Sequence, residues 1–210
     1  VLGAVLYGLA VNILGGGGLF EAGGGGGDSG GSNYLAQMEA EDRQNFANSK
    51  NSAAEQVTSR INDENQYIAA KNGALARIDY SASKINAVIA CGADTAASAT
   101  LSQVLATKAP IQRDVAIGEN NITNLRLVID RLNSLPYEQR NNLTQIMGQF
   151  STLLSQTHHQ GDVIQAQYER DFGIADRFRD LDAQSDQKLQ ICQQAQGAGA
   201  GGAGGAPIGS

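Results

Sequence analysis

The sequence predicts an all-α fold of long extended helices, paired as a hairpin or bundle that assembles into an oligomer and flanked by Gly-rich flexible ends. Three observations predict it. The glycines avoid the middle: 13 of the 26 lie in residues 1–31 and 7 in residues 197–209. Only Pro110 and Pro136 interrupt that middle, which is rich in Ala, Gln, Asn, Leu and Ile, a composition suited to extended helix. Apolar residues recur there at three- and four-residue spacing, the period of one helix face. No strand pattern and no internal repeat is evident.

Composition sets the class. The chain has 210 residues and a net charge of −6. Val, Leu, Ile and Phe together number 47, close to the roughly 20% below which a chain struggles to build its own core. There is no Trp, and aromatics make up 5%. These figures argue against a large single-core enzyme. The acidic balance argues against a nucleic-acid binder, which is usually basic.

Residues 1–20, VLGAVLYGLAVNILGGGGLF, carry no charge. Twenty residues of helix span about 30 Å, the thickness of a bilayer core. The firmly apolar part is Val1 to Leu14, and Leu2, Val5, Leu6, Leu9, Val11, Ile13 and Leu14 are its candidate membrane-insertion residues. Ala4 and Gly8 form a small-xxx-small pair that would let two such helices approach closely. Residues 21–32, EAGGGGGDSGGS, read as a flexible linker that buries nothing.

Residues 33–109 read as one long helix or two nearly collinear ones. Their seam is Ile61, Ile68, Leu75, Ile78, Ile85 and Ile89, with Glu64 and Lys71 as its polar exceptions. Pro110 breaks the pattern, and residues 110–196 form a second helical segment broken at Pro136. Its first part is lined by Ile122, Leu125, Ile129 and Leu132. Its second, residues 137–196, reads as one long helix with Phe150, Leu154, Ile164 and Tyr168 on one face. Phe172, Phe178, Leu181 and Leu189 extend that face with a drift in phase. Together these residues are the candidate oligomer and packing seam. Residues 169–188 carry ten charges of interleaved sign, which reads as a solvated face, with a partner-facing strip as the alternative. Residues 197–210 form a low-complexity tail.

Motifs for chemistry are weak. Gly197-x-Gly199-x-x-Gly202 matches a dinucleotide fingerprint but lies in a Gly/Ala repeat and follows no strand. His158 and His159, read as helix neighbours, point about 100° apart and cannot share a metal from one face. One is expected near the seam and the other in solvent. Cys91 and Cys192 lie 101 residues apart with no metal spacing. Two small buried hydrophobes are the ordinary reading, and a disulfide is the alternative. No catalytic residue, metal site or cofactor is expected. Residues 33–109 hold 7 basic and 8 acidic groups, and residues 110–196 hold 8 and 11. Neither segment is cationic enough to grip phosphate.

The layout of VLGAVLYGLAVNIL, a glycine linker, the Gln/Asn/Ala-rich body beginning YLAQMEAEDRQNFANSKNSAAEQVTSRINDENQYIAAKNGALARI and a low-complexity tail resembles the small internal virion, or DNA-ejection, proteins of short-tailed bacteriophages. The resemblance covers the whole chain but is one of layout, with no diagnostic motif. It implies a non-enzymatic subunit of an oligomeric trans-envelope channel for genome delivery. It implies location in the virion and then in the host cell envelope. The implied partners are further copies, other ejection proteins, the portal and the host membrane, with DNA as weakly contacted cargo. The head here is shorter and more broken by glycine than the resemblance leads one to expect. The alternatives are a bacterial secretion-system or filament subunit and a structural virion protein without membrane activity.

Overall fold

The computed structural model describes residues 30–92, 94 and 96–200, with side chains from 33 to 195 at those positions. All the elements are helical, and no strand occurs among the described residues. Helix α1, Gly30–Ala90, is 61 residues long. It starts inside the segment read as linker, so the predicted boundary at residue 32 lies three residues into the helix. It ends where Gly92 takes a left-handed φ of +71°. The Gly92 N–H donates to Ile89 O at 2.9 Å, closing the last turn, a conformation that favours glycine.

Asp94 turns the chain onward, its Oδ1 accepting the Ala96 N–H at 2.8 Å. Helix α2, Ala97–Ala106, follows, and then α3, Lys108–Ser134. Pro110 lies just past the break between α2 and α3, which falls at Thr107. It sits in the first turn of α3, where its missing N–H would have had no helical partner. Pro136 is extended and opens a short 3₁₀ turn, Tyr137–Gln139.

The long helix expected over residues 137–196 is divided. Helix α4 spans Asn142–Leu154 and α5 spans Gln160–Tyr168. His159 is the reason for the new start. It is extended, its ring Nδ1 accepts the Asp162 N–H, and the Asp162 carboxylate accepts the His159 N–H. This is a capping box with histidine in the place usually taken by Ser or Thr. A π-helical segment, Glu169–Gly173, then joins α5 to α6, Ile174–Ala200.

Packing groups the described chain into two units, and α1 and α3 contribute a stretch to each. The first takes α1 up to Asn62 with Asn121–Thr157. Its core joins Ala53 and Val57 of α1, Leu125, Val128 and Leu132 of α3, Leu135, and Leu143, Ile146 and Phe150 of α4. Helices α3 and α4 form an antiparallel pair. Arg131 meets Gln149 near the connection, and Asn121 Nδ2 donates to Gln156 O at the far end.

The second unit takes Asp63–Asn120 with the chain from His158 onward. Tyr67 and Ala70 of α1 pack on Val163 and Ala166 of α5. Ile78, Ile85 and Val88 share a core with Val104 of α2, Ile111 of α3, and Ile174 and Phe178 of α6. Cys91 and Cys192 form a disulfide, with Cα atoms 6.3 Å apart, within the ordinary span. Both residues are half-buried, which corrects their reading as buried hydrophobes.

The π segment accounts for the phase drift in the sequence. At 100° per residue, the core face of α6 would point roughly 80° away from the Val163–Ala166 face of α5. One extra residue in the helix sets the later residues back by about 100°. That brings Ile174, Phe178 and Ser185 round to the core, where all three are buried.

Two glycines separate packing from propensity. A Cβ on Gly118 would meet Ile68 Cγ1 at 2.8 Å and Glu64 Oε2 at 3.2 Å, while one on Gly148 would meet nothing. Gly118→Val is expected to destabilise the chain by about 1–3 kcal/mol through overpacking. Gly148→Ala is expected to stabilise it by about 1 kcal/mol through helix propensity. Urea midpoints of the two variants check both signs.

Candidate assembly surface

The predicted seam residues do not share one fate. Ile78, Ile85, Ile122, Leu125, Leu132 and Phe150 are buried within the chain. Ile61, Ile129 and Leu154 pack at the edge of the first unit's core, and Leu75 and Ile89 at that of the second. Ile68 is half-buried against Gly118. Ile164 and Tyr168 are different: they are 58% and 60% exposed.

The two polar exceptions in the seam are both paired. Glu64 is fully buried. Its Oε1 accepts the His158 backbone N–H at 2.7 Å, and its Oε2 lies 2.9 Å from His158 Nδ1. The Tyr67 ring stacks on the His158 imidazole, centroids 3.6 Å apart. A buried carboxylate is tolerated only with such partners. His158 therefore sits in the turn before α5 and not on a helix, while His159 caps α5 from the exposed side.

Lys71 lies about two helical turns beyond Glu64, its Nζ 2.9 Å from Glu169 Oε2 and 3.3 Å from Asp114 Oδ2. Burial pulls its ammonium toward the neutral form, but Glu169, Tyr67 and Asp114 outweigh that and hold its pKa above the ordinary lysine value. A raised lysine pKa stabilises the fold below its ordinary value, and that stabilisation is lost as pH climbs through the raised one. An open groove of about 510 Å³ lies beside this triad, bordered also by Ile111, Ile174 and Arg177. Its lysine and carboxylates are already committed to one another, so the arrangement tethers α1, α3 and the π segment. Among the described residues no group of three or more His, Cys, Asp or Glu is placed to hold a metal.

Three of the exposed apolar residues line up along α5 and the π segment. Ile164, Tyr168 and Phe172 follow one another at four-residue intervals on α5 and the π segment, all more than half exposed. The rings of Tyr168 and Phe172 are 5.2 Å apart. On a helix this spacing draws a single strip. Val163 and Ala166, the buried residues of α5, point the other way. The core clusters of this unit are built from other residues, and the strip belongs to neither. A second exposed group, Tyr34, Leu35 and Met38, lies near the start of α1.

The predicted membrane-insertion residues Leu2, Val5, Leu6, Leu9, Val11, Ile13 and Leu14 lie outside the described residues. Among the described helices none is long and apolar enough to cross a membrane. Comparison of the chain with protein-family models, curated proteins and solved structures finds no match. The sequence reading missed the Glu64–His158 contact and the π segment, and held the cysteine pairing only as the alternative. Only the last left a local trace, in the phase drift after Tyr168.

The two faces of this helical stretch are expected to respond oppositely to polar substitution. Tyr168→Ser with Phe172→Ser should leave unfolding free energy within about 0.5 kcal/mol of the parent, as for exposed positions. Phe178→Ser, on the core side, should cost about 3–5 kcal/mol. Chemical denaturation of the variants distinguishes the faces. Equal losses would place the strip in the core.

Proposed function

We propose that this chain is a non-enzymatic subunit of an oligomeric channel that carries a bacteriophage genome through the host envelope, like the ejection proteins it resembles. The observation that carries the reading is the outward strip of Ile164, Tyr168 and Phe172 on a unit whose core clusters are built without them. Apolar surface that a chain does not bury itself is the usual mark of a protein or membrane contact. Further copies of this chain are its first candidate partners, with larger ejection proteins and the portal after them.

Two features of the sequence fit the same role. Residues 1–20 carry no charge, and the membrane contact is assigned to them, with the host membrane as their partner. The helical body is acidic overall and rich in Asn and Gln. Such a surface stays wetted and does not attract phosphate, so DNA would pass as weakly contacted cargo. The working locations are the virion and, after ejection, the host cell envelope.

Dye release from liposomes tests the membrane step, with the full chain and a version lacking residues 1–32, each sized by light scattering. The full chain is expected to form an oligomer and release dye, and the shortened one to associate without release. In the full chain, Tyr168→Ser with Phe172→Ser is expected to weaken self-association by at least about tenfold, as for truncated interface aromatics. Stable oligomers without release in either version would contradict the channel reading and favour a structural virion or filament component.

A further inference from the structure

The far end of α6 is held to the end of α1 by contacts unlike those upstream. Ile174 and Phe178 are buried in the core, and Leu181 and Leu189 pack against it. Arg77 pairs with Asp182, and Lys84 with Asp186 at 2.6 Å. Past Leu189 the apolar hold stops: Ile191 is 58% exposed and residues 193–195 are exposed. Two contacts one helical turn apart hold this end. Lys188 pairs with Asp94, and Cys192 is bonded to Cys91.

Both partners stand in the turn that leaves α1. Asp94 is fixed there by accepting the Ala96 N–H. The Lys188 ammonium and that N–H hold its carboxyl below the ordinary carboxylate range. Lys188 and Cys192 are four residues apart and so share a helix face. Both cysteines are half-buried and belong to no core cluster. Docking of α6 up to Leu189 has its own apolar and ionic contacts and does not depend on the bond.

We infer that Cys91 and Cys192 are a redox latch, closed by a disulfide-donating oxidant and opened by a dithiol reductant. In closing, one cysteine thiolate attacks the donor disulfide and releases one donor thiol. The second cysteine thiolate then displaces the other donor thiol from the mixed disulfide. Two thiols of the chain are oxidised, one donor disulfide is reduced to two thiols, and the two cysteine protons leave to solvent or to the departing thiolates. The latch is open where thiols are kept reduced and closed in an oxidising compartment. Its opening frees the end of α6 past Leu189, while the core upstream stays docked.

The test equilibrates the full chain, first reduced, in glutathione buffers of set reduced-to-oxidised ratio. Free thiols are counted by a maleimide gel shift, and amide exchange is read along α6. Oxidised glutathione is expected to give a disulfide within each chain, reversed by dithiothreitol. Reduction should raise exchange at residues 190–195 by about tenfold or more, with little change at residues 174–189 and in overall helicity. Cys91→Ser should show the open pattern under both conditions, which makes the readout independent of reductant. Disulfide-linked dimers, thiols that stay free in oxidised glutathione, or loss of helicity throughout the reduced chain would each overturn the latch.

Discussion

The apolar seam of α1 is the constraint on which the other elements depend. It supplies Ala53 and Val57 to one core and Ile78, Ile85 and Val88 to the other. A helix of 61 residues cannot fold its own stripe away, because every residue on one face points outward from one axis. The stripe is covered instead by later helices of the same chain. Helices α3 and α4 cover it before Asn62, and α2, the start of α3, α5 and α6 cover it after. Each later element is amphipathic mainly because it has one side turned to this seam.

Interruptions of the seam are matched by interruptions in its partners. Glu64 falls where the chain turns from α4 to α5, and the His158 backbone N–H and imidazole of that turn meet it. Lys71 falls where α5 gives way to the π segment, and Glu169 is the first residue of that segment. A buried charge without a partner costs several kcal/mol, so these positions also fix the register of the last helices against α1. The π segment then resets the face, so that Ile174 and Phe178 continue the contact that Val163 and Ala166 begin.

Much of the fold is legible in the residues. The scarcity of Gly and Pro between residues 32 and 196 gives helix, and most of the spaced Ile and Leu positions line the two cores. Pro110 was harder to read, because proline ends a helix in its interior but is tolerated in its first turn. The turn at residues 155–159 carries no Gly or Pro and depends on a histidine cap. The pairing of Cys91 with Cys192, and of Glu64 with His158, spans 101 and 94 residues. No local spacing reports such contacts, because they arise only once the later helices lie along α1. Of the candidate assembly surface, Ile164 and Tyr168 were in the predicted seam. Their outward direction became readable only against the buried face of α5.

The seam of α1 is covered by its own chain, and the strip on α5 and the π segment lies outside that contact. Amide hydrogen exchange of the full chain, followed over a hundredfold range of protein concentration, tests it most directly. Coverage within the chain predicts that protection around Val57, Ile78, Leu125 and Phe150 is strong and independent of concentration. Protection of those core segments that fades on dilution would show that the seam is filled by other copies and contradict the account.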